Sequence, residues 1–161
     1  MNSDYMKHEK GNELSIGRCG EYLVMFDLLS KGHKAFMTEQ GINYDIVLEH
    51  NNRLIRLQVK TTLQPMYVNT TYKTKSYLFH VRRAGKGGKR LYNVGEFEGF
   101  ALVTLDTKKV YYHSFTESIN KTLIFRVPGL KYGGEHGDRD RRKRKSPYIS
   151  ELTLERFLQD I

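Results

Sequence analysis

The feature that most constrains this chain is an asparagine pair, Asn51-Asn52, set between two strand-like runs, YDIVLEH and RLIRLQVKT. Asparagine tolerates a left-handed backbone, so the pair predicts a two-residue hairpin turn. With His50 facing Arg53, each step outward keeps register and sets Asp45 opposite Gln58. Side chains so paired share a face at roughly 5 Å, and the side-chain period of two puts Lys60 on that face too. The other face carries Tyr44, Ile46 and Leu48 against Ile55, Leu57 and Val59. That apolar surface fixes the register, because a slip of one residue would bury the charged set.

Around this hairpin the pattern predicts a lead-in over residues 1–16, with Leu14 and Ile16 docking, and a helix from Arg18 to Lys31 ended by Gly32. Glu21, Met25, Leu28 and Leu29 recur at helical spacing, so Glu21 lies on or beside the apolar stripe. A carboxylate there is costly unless something satisfies it. If the helix packs across the polar face of the hairpin, a cation shared with Asp45 would do so. Further strands are expected at 33–37, at Tyr77–Arg83, and at 100–106 and 109–115 around an Asp106–Lys108 turn. Residues 62–76 read as a polar stretch and 133–147 as a mobile loop or arm; LTLERFLQDI reads as a terminal helix capped by Ser150. Strand-rich hairpins with helices at either end point to an α/β (α+β) domain with a central mixed, mainly antiparallel sheet flanked by helices. A length of 161 residues suits one such domain spanning 1–161.

The formal charge of +9 favours a polyanionic partner, and nucleic acid is the commonest one. Arg82, Arg83, Lys86, Lys89 and Arg90 gather in and beside a glycine-rich loop at 84–90. Arg139, Arg141, Arg142, Lys143, Arg144 and Lys145 form a denser run. Either cluster suits a phosphate backbone or groove, against the plainer reading of a solvated turn or tract. The basic residues do not fall along one amphipathic helix, which argues against a membrane partner. No apolar run approaches the roughly 18 residues that would span a bilayer. The N-terminus is too polar for a signal peptide, so an intracellular location is expected, cytoplasmic or nucleoid-associated in a prokaryote or phage. A single cysteine, Cys19, permits no internal disulfide and no thiolate cluster. The histidines show no zinc-ligand spacing, and the glycines at 85, 87 and 88 do not form a phosphate-binding P-loop.

The hairpin set suits phosphodiester hydrolysis. Glu21, Asp45 and the Gln58 amide offer hard oxygen ligands for Mg²⁺, with the Val59 backbone carbonyl as a fourth; Mn²⁺ is the expected substitute. Such an ion polarises the phosphate and lowers the pKa of an attacking water. Lys60, held among acidic groups, keeps its proton and stabilises the phosphorane or orients the water. One ion is easier to hold than two, because an amide binds more weakly than a carboxylate. Taken singly, Lys60 reads as a solvated lysine and Glu21 as a flank residue paired to Arg18 or Lys34.

Asp45 followed across a hairpin by Gln58-Val59-Lys60 resembles the PD-(D/E)XK nuclease superfamily, in the variant where glutamine takes the middle acidic position. The stretch GEYLVMFDLLSKGHKAF…YDIVLEHNNRLIRLQVKTT is similar to archaeal Holliday junction resolvases, to certain restriction enzymes and to cyanobacterial group I intron homing endonucleases. The resemblance spans roughly residues 17–62 and 96–115, with Tyr44 standing where the family has proline. It implies Glu21, Asp45, Gln58 and Lys60 as catalytic residues. It further implies a Mg²⁺-dependent DNA endonuclease of homing or restriction type, assembled as a homodimer or homotetramer so that both strands are cut. A junction-resolving nuclease is the first alternative, and a noncatalytic nucleic-acid-binding domain the second. An RNA-binding protein would explain the charge but not the convergence of Glu21, Asp45 and Gln58.

Overall fold

A computed structural model of the protein describes residues 12–68, 75–82, 91–116, 121–130 and 146–161. Its centre is the hairpin. Strand β2 (Ile46–His50) pairs antiparallel with β3 (Arg53–Thr62), in a register that sets His50 against Arg53 and Ile46 against Leu57. The turn works as the sequence requires, with Asn51 at φ 51° and Asn52 at φ 59°, both left-handed.

Strand β1 (Lys34–Met37) adds antiparallel to β2. On the far side β6 (Gly99–Thr104) joins β3 in parallel, and β7 (Lys109–Ser114) returns antiparallel from a turn in which Lys108 has φ 52°. The central sheet is therefore β1-β2-β3-β6-β7, mixed and mainly antiparallel, as expected. Every residue of β6 is buried, because both faces of the sheet are covered.

Helix α1 (Glu13–Ser30) begins earlier than expected, and its buried row is Ile16, Gly20, Val24 and Leu28. Val24 and Leu28 pack with Ile46, Leu48, Ile55, Leu57 and Val59. The helix thus covers the apolar face of the hairpin, not the polar one, since apolar surface gains most by leaving water there. Its end follows the expectation. Gly32 is left-handed at φ 83°, its N–H donates to Leu29 O at 3.0 Å, and the His33 N–H donates to Leu28 O at 3.0 Å, a Schellman arrangement.

The short terminal helix α2 (Leu154–Asp160) lies on the same face, with Leu154 and Phe157 in that core. Its N-cap is Thr153 rather than Ser150; the Thr153 hydroxyl accepts from Arg156 N at 3.2 Å. Ser150 falls instead in a 3₁₀ turn, Ile149–Glu151.

The opposite face is covered by a second sheet of β4 (Met66–Tyr67), β5 (Lys75–His80) and β8 (Thr122–Arg126), ordered β4-β5-β8. Tyr77, Phe79, Leu123 and Phe125 from it enclose a second core with Phe97, Phe100 and Leu102. Tyr44 packs here, on the side away from Ile46 and Leu48, because the chain leaves the β2 ladder before it reaches this residue. Neither β4 nor β8 stands out in the sequence pattern. Of the basic clusters only Arg82 is described; Arg83, Lys86, Lys89, Arg90, Arg139, Arg141, Arg142, Lys143, Arg144 and Lys145 lie outside the described residues.

Candidate active site

The site forms where the hairpin ladder stops. At the end of β2 the Asp45 N–H still donates to Leu57 O at 2.9 Å, while Asp45 O turns to accept from Thr38 N, also at 2.9 Å. Beyond that point β2 no longer runs beside β3, and the Asp45 carboxylate takes over as partner of the strand. Its Oδ2 accepts from Val59 N at 2.7 Å and from the Gln58 amide Nε2. Asp45 and Gln58 thus meet as the hairpin register demands. The Gln58 amide nitrogen also lies 3.5 Å from the Val59 carbonyl.

Lys60 stands two residues along β3 from Gln58. Its ammonium donates to the Tyr92 hydroxyl at 2.8 Å and to the Arg82 carbonyl at 3.3 Å, and lies 5.1 Å from the Tyr92 ring centroid. Tyr92 is a contact that sequence reasoning missed. No spacing rule links residues 60 and 92, and the nearest signal is only that an aromatic closes the basic, glycine-rich segment. Tyr92 is held in turn by edge contacts to Phe97 and Phe100.

Glu21 comes from the other side of the sheet. It sits beside the buried row of α1, one residue after Gly20, and is partly buried with Arg18 Nη1 2.7 Å from its carboxylate. Its charge reaches Asp45. Burial raises the Asp45 pKa above the ordinary carboxylate value, and the Glu21 carboxylate raises it further. The Val59 N–H, the Lys60 ammonium and the Gln58 amide pull the other way without cancelling the rise. A half-buried Asp45 carboxylate within the field of Glu21 is a group whose charge a cation would relieve.

A family model described as PD-(D/E)XK endonuclease matches residues 12–135 of the chain. The chain belongs to the PD-(D/E)XK nucleases. Among solved structures it is similar to that of a bacterial homing endonuclease, I-Ssp6803I, at 16% identity and a TM-score of 0.65, over 92% of this chain and 93% of that one. At that identity the likeness is one of fold. No curated protein matches the chain.

For a PD-(D/E)XK nuclease the ligand set is lean. Among the described residues no three His, Cys, Asp or Glu side chains are grouped so as to hold a metal ion. Glutamine at 58 supplies one oxygen and no charge, so Glu21 and Asp45 are the carboxylates of the expected set. The atoms present still suit a hard cation. The Glu21 and Asp45 carboxylates, the Gln58 amide oxygen and the Val59 carbonyl are all oxygen donors, and burial, with a smaller push from Glu21, raises the Asp45 pKa. Gln58 now turns its nitrogen toward Asp45, so ligation would require its amide to rotate. Glu21 would have to leave Arg18 or share it.

A second ion pair braces the same face. Arg56 Nη2 lies 2.5 Å from Glu98 Oε1, and Glu98 Oε2 also accepts the Arg56 backbone N–H at 2.6 Å. The Arg56 guanidinium further lies 5.8 Å from the Tyr44 ring centroid. This clamp ties β3 to the segment entering β6 and fences the flank of the Asp45–Gln58 pair.

Proposed function

We propose that this nuclease is a Mg²⁺-dependent endonuclease that hydrolyses phosphodiester bonds in double-stranded DNA at defined sites, in the manner of a homing or restriction enzyme. The observation that carries the reading is the Asp45 carboxylate. It is half-buried, hydrogen-bonded to Gln58 and to the Val59 N–H, and raised in pKa first by its burial and then by the Glu21 carboxylate from another element. When bound, Mg²⁺ would supply electrophilic activation of the phosphate and of a water. Glu21, Asp45, Gln58 and the Val59 carbonyl would hold it. The Lys60 ammonium donates to the Tyr92 hydroxyl and the Arg82 carbonyl, and its charge acts on Asp45. The same ammonium stabilises charge developing on phosphate oxygens.

The DNA reading draws support from Arg82, which brings one basic residue beside Lys60. The Lys60 ammonium bonds the carbonyl of Arg82, the one described member of its basic cluster, and the Tyr92 hydroxyl. Arg83, Lys86, Lys89 and Arg90 lie outside the described residues, and their charge suits them to phosphate contacts. The run containing Arg141, Arg142, Lys143, Arg144 and Lys145 serves as a second phosphate contact. One seat cuts one strand, so both strands require a homodimer or homotetramer. The exposed row Leu14, Tyr22 and Phe26 on α1 is apolar surface for another copy to cover. The described residues contain no helix long and apolar enough to cross a membrane.

Incubating a randomised duplex library and a four-way junction with the protein and Mg²⁺ tests the proposal. Cleavage of a linear duplex at defined positions is expected, falling at least about a hundredfold in Asp45→Ala and Lys60→Ala. Preference for the junction would instead make it a resolving nuclease. That no third acidic ligand stands among the described residues favours one other reading, a DNA-binding relative without catalysis. Retention of DNA with no Mg²⁺-dependent product would establish that reading and remove ours.

A further inference from the structure

Helix α1 and strand β3 meet closely at Gly20 and Thr61. A methyl group at position 20 would overlap the Thr61 hydroxyl and lie 3.1 Å from its Cβ and 3.2 Å from its Cγ2. The Thr61 hydroxyl oxygen is buried there without a hydrogen-bond partner, a costly state that close packing against the bare Gly20 backbone imposes. Both residues adjoin the site: Gly20 precedes Glu21, and Thr61 follows Lys60. The helix covers the apolar face while Asp45, Gln58 and Lys60 stand on the other, so Glu21 influences Asp45 only if α1 sits deep against β3 near the end of the β2 ladder.

We infer that Gly20 and Thr61 form a spacing contact that sets the depth of α1 and thereby brings Glu21 to the cation site, making both of them positioning residues. This rests on the proposed reading of Glu21 and Asp45 as cation ligands and adds how the ligand from the far face is delivered. A side chain at position 20 lifts the helix by the width of the overlap. Glu21 then recedes from Asp45, while Asp45, Gln58 and Val59 keep their mutual hydrogen bonds on β2 and β3.

The test is a Mg²⁺ titration of the full chain followed by amide chemical shifts, with Gly20→Ala, Glu21→Gln and Gly20→Ala/Glu21→Gln compared in a double-mutant cycle. Glu21→Gln is expected to weaken Mg²⁺ binding about tenfold in the parent. Gly20→Ala should weaken it similarly, and adding Glu21→Gln should then change it less than twofold. Gly20→Ala/Thr61→Ala removes the overlapping hydroxyl and should recover most of the lost affinity. It also serves where Gly20→Ala alone does not fold, since Glu21→Gln must then again weaken binding about tenfold in that background. Parent-like Mg²⁺ affinity in folded Gly20→Ala, or full additivity with Glu21→Gln, overturns the inference while leaving the cation site standing. No Mg²⁺-dependent shift near Asp45 in the parent overturns both.

Discussion

Replacing Gln58 by glutamate tests the site from its weakest member. In the structure the Gln58 amide donates to Asp45 Oδ2, a hydrogen bond to a charged, half-buried acceptor. Glutamate loses that donor and sets a third carboxylate beside Asp45, whose pKa is already raised by burial and by Glu21. A hydrogen bond to a charged group contributes about 1.5–3 kcal/mol, so a loss of about 2 kcal/mol is expected without metal at pH 8. For a chain of this size that lowers the melting temperature by about 4–8 °C. The sign with pH follows from linkage. Two adjacent carboxylates share a proton, so the folded pair binds it more tightly than the unfolded chain does. Gln58→Glu therefore costs little at pH 5, and the deficit grows as pH rises through the raised upper step of the pair. Mg²⁺ at a hundred times its dissociation constant stabilises by about 2.7 kcal/mol, enough to bring the variant back to the stability of the metal-free parent. Scanning calorimetry of parent and Gln58→Glu at pH 5 and 8, with and without Mg²⁺, reads all of this. A variant as stable as the parent at pH 8, or one that Mg²⁺ fails to restore, would refute the reasoning.

Other outcomes follow from the same contacts. The Asp45 carboxyl is raised in the folded state, so the stability its protonated form contributes is lost as pH rises through that raised value; Asp45→Asn should melt higher than the parent at pH 7 by calorimetry and bind no Mg²⁺. Burial raises the Glu98 carboxyl, but its hydrogen bonds and charge contact with Arg56 outweigh this and lower it. Its contribution is thus present above the ordinary glutamate value and lost as pH falls through the lowered one. Glu98→Ala should cost about 1–2 kcal/mol at pH 7, discounted for partial exposure, with the difference vanishing in acid denaturant titrations. Tyr92→Phe removes the hydroxyl 2.8 Å from Lys60; cleavage should slow about tenfold while Mg²⁺ affinity holds. Arg18→Ala frees Glu21 from its exposed partner and should tighten Mg²⁺ binding in a shift titration, with the melting temperature unchanged.

Much of the site was legible because its strongest determinants are local. The Asn51-Asn52 turn and the alternation on either side determine one register, and that register alone brings Asp45 to Gln58. The approach of α1 was not legible in the same way. The buried row runs through Gly20, and a glycine adds nothing to an apolar pattern, so the stripe read from Glu21, Met25, Leu28 and Leu29 points to the wrong side of the hairpin. The polar-face docking inferred from it fails for the plain reason that Ile46, Leu48 and Leu57 need covering. Tyr44 misled similarly, since alternation predicts faces only while the ladder lasts. β8 escaped because Thr122–Arg126 is short and pairs with β5, more than forty positions earlier in the chain. The contact between Lys60 and Tyr92 depends on two cores packing against one sheet, which no local pattern encodes.

The proposed chemistry depends on one ion held by both Asp45 and Glu21, the carboxylate from the helical face. Crystals of the protein with Mn²⁺ in place of Mg²⁺, examined by anomalous scattering, locate that ion directly. We expect one peak, with carboxylate oxygens of Asp45 and Glu21 and the Val59 carbonyl about 2.0–2.4 Å away and the Gln58 amide rotated to present its oxygen. A peak held elsewhere, or none beside Asp45 at saturating Mn²⁺, would contradict it.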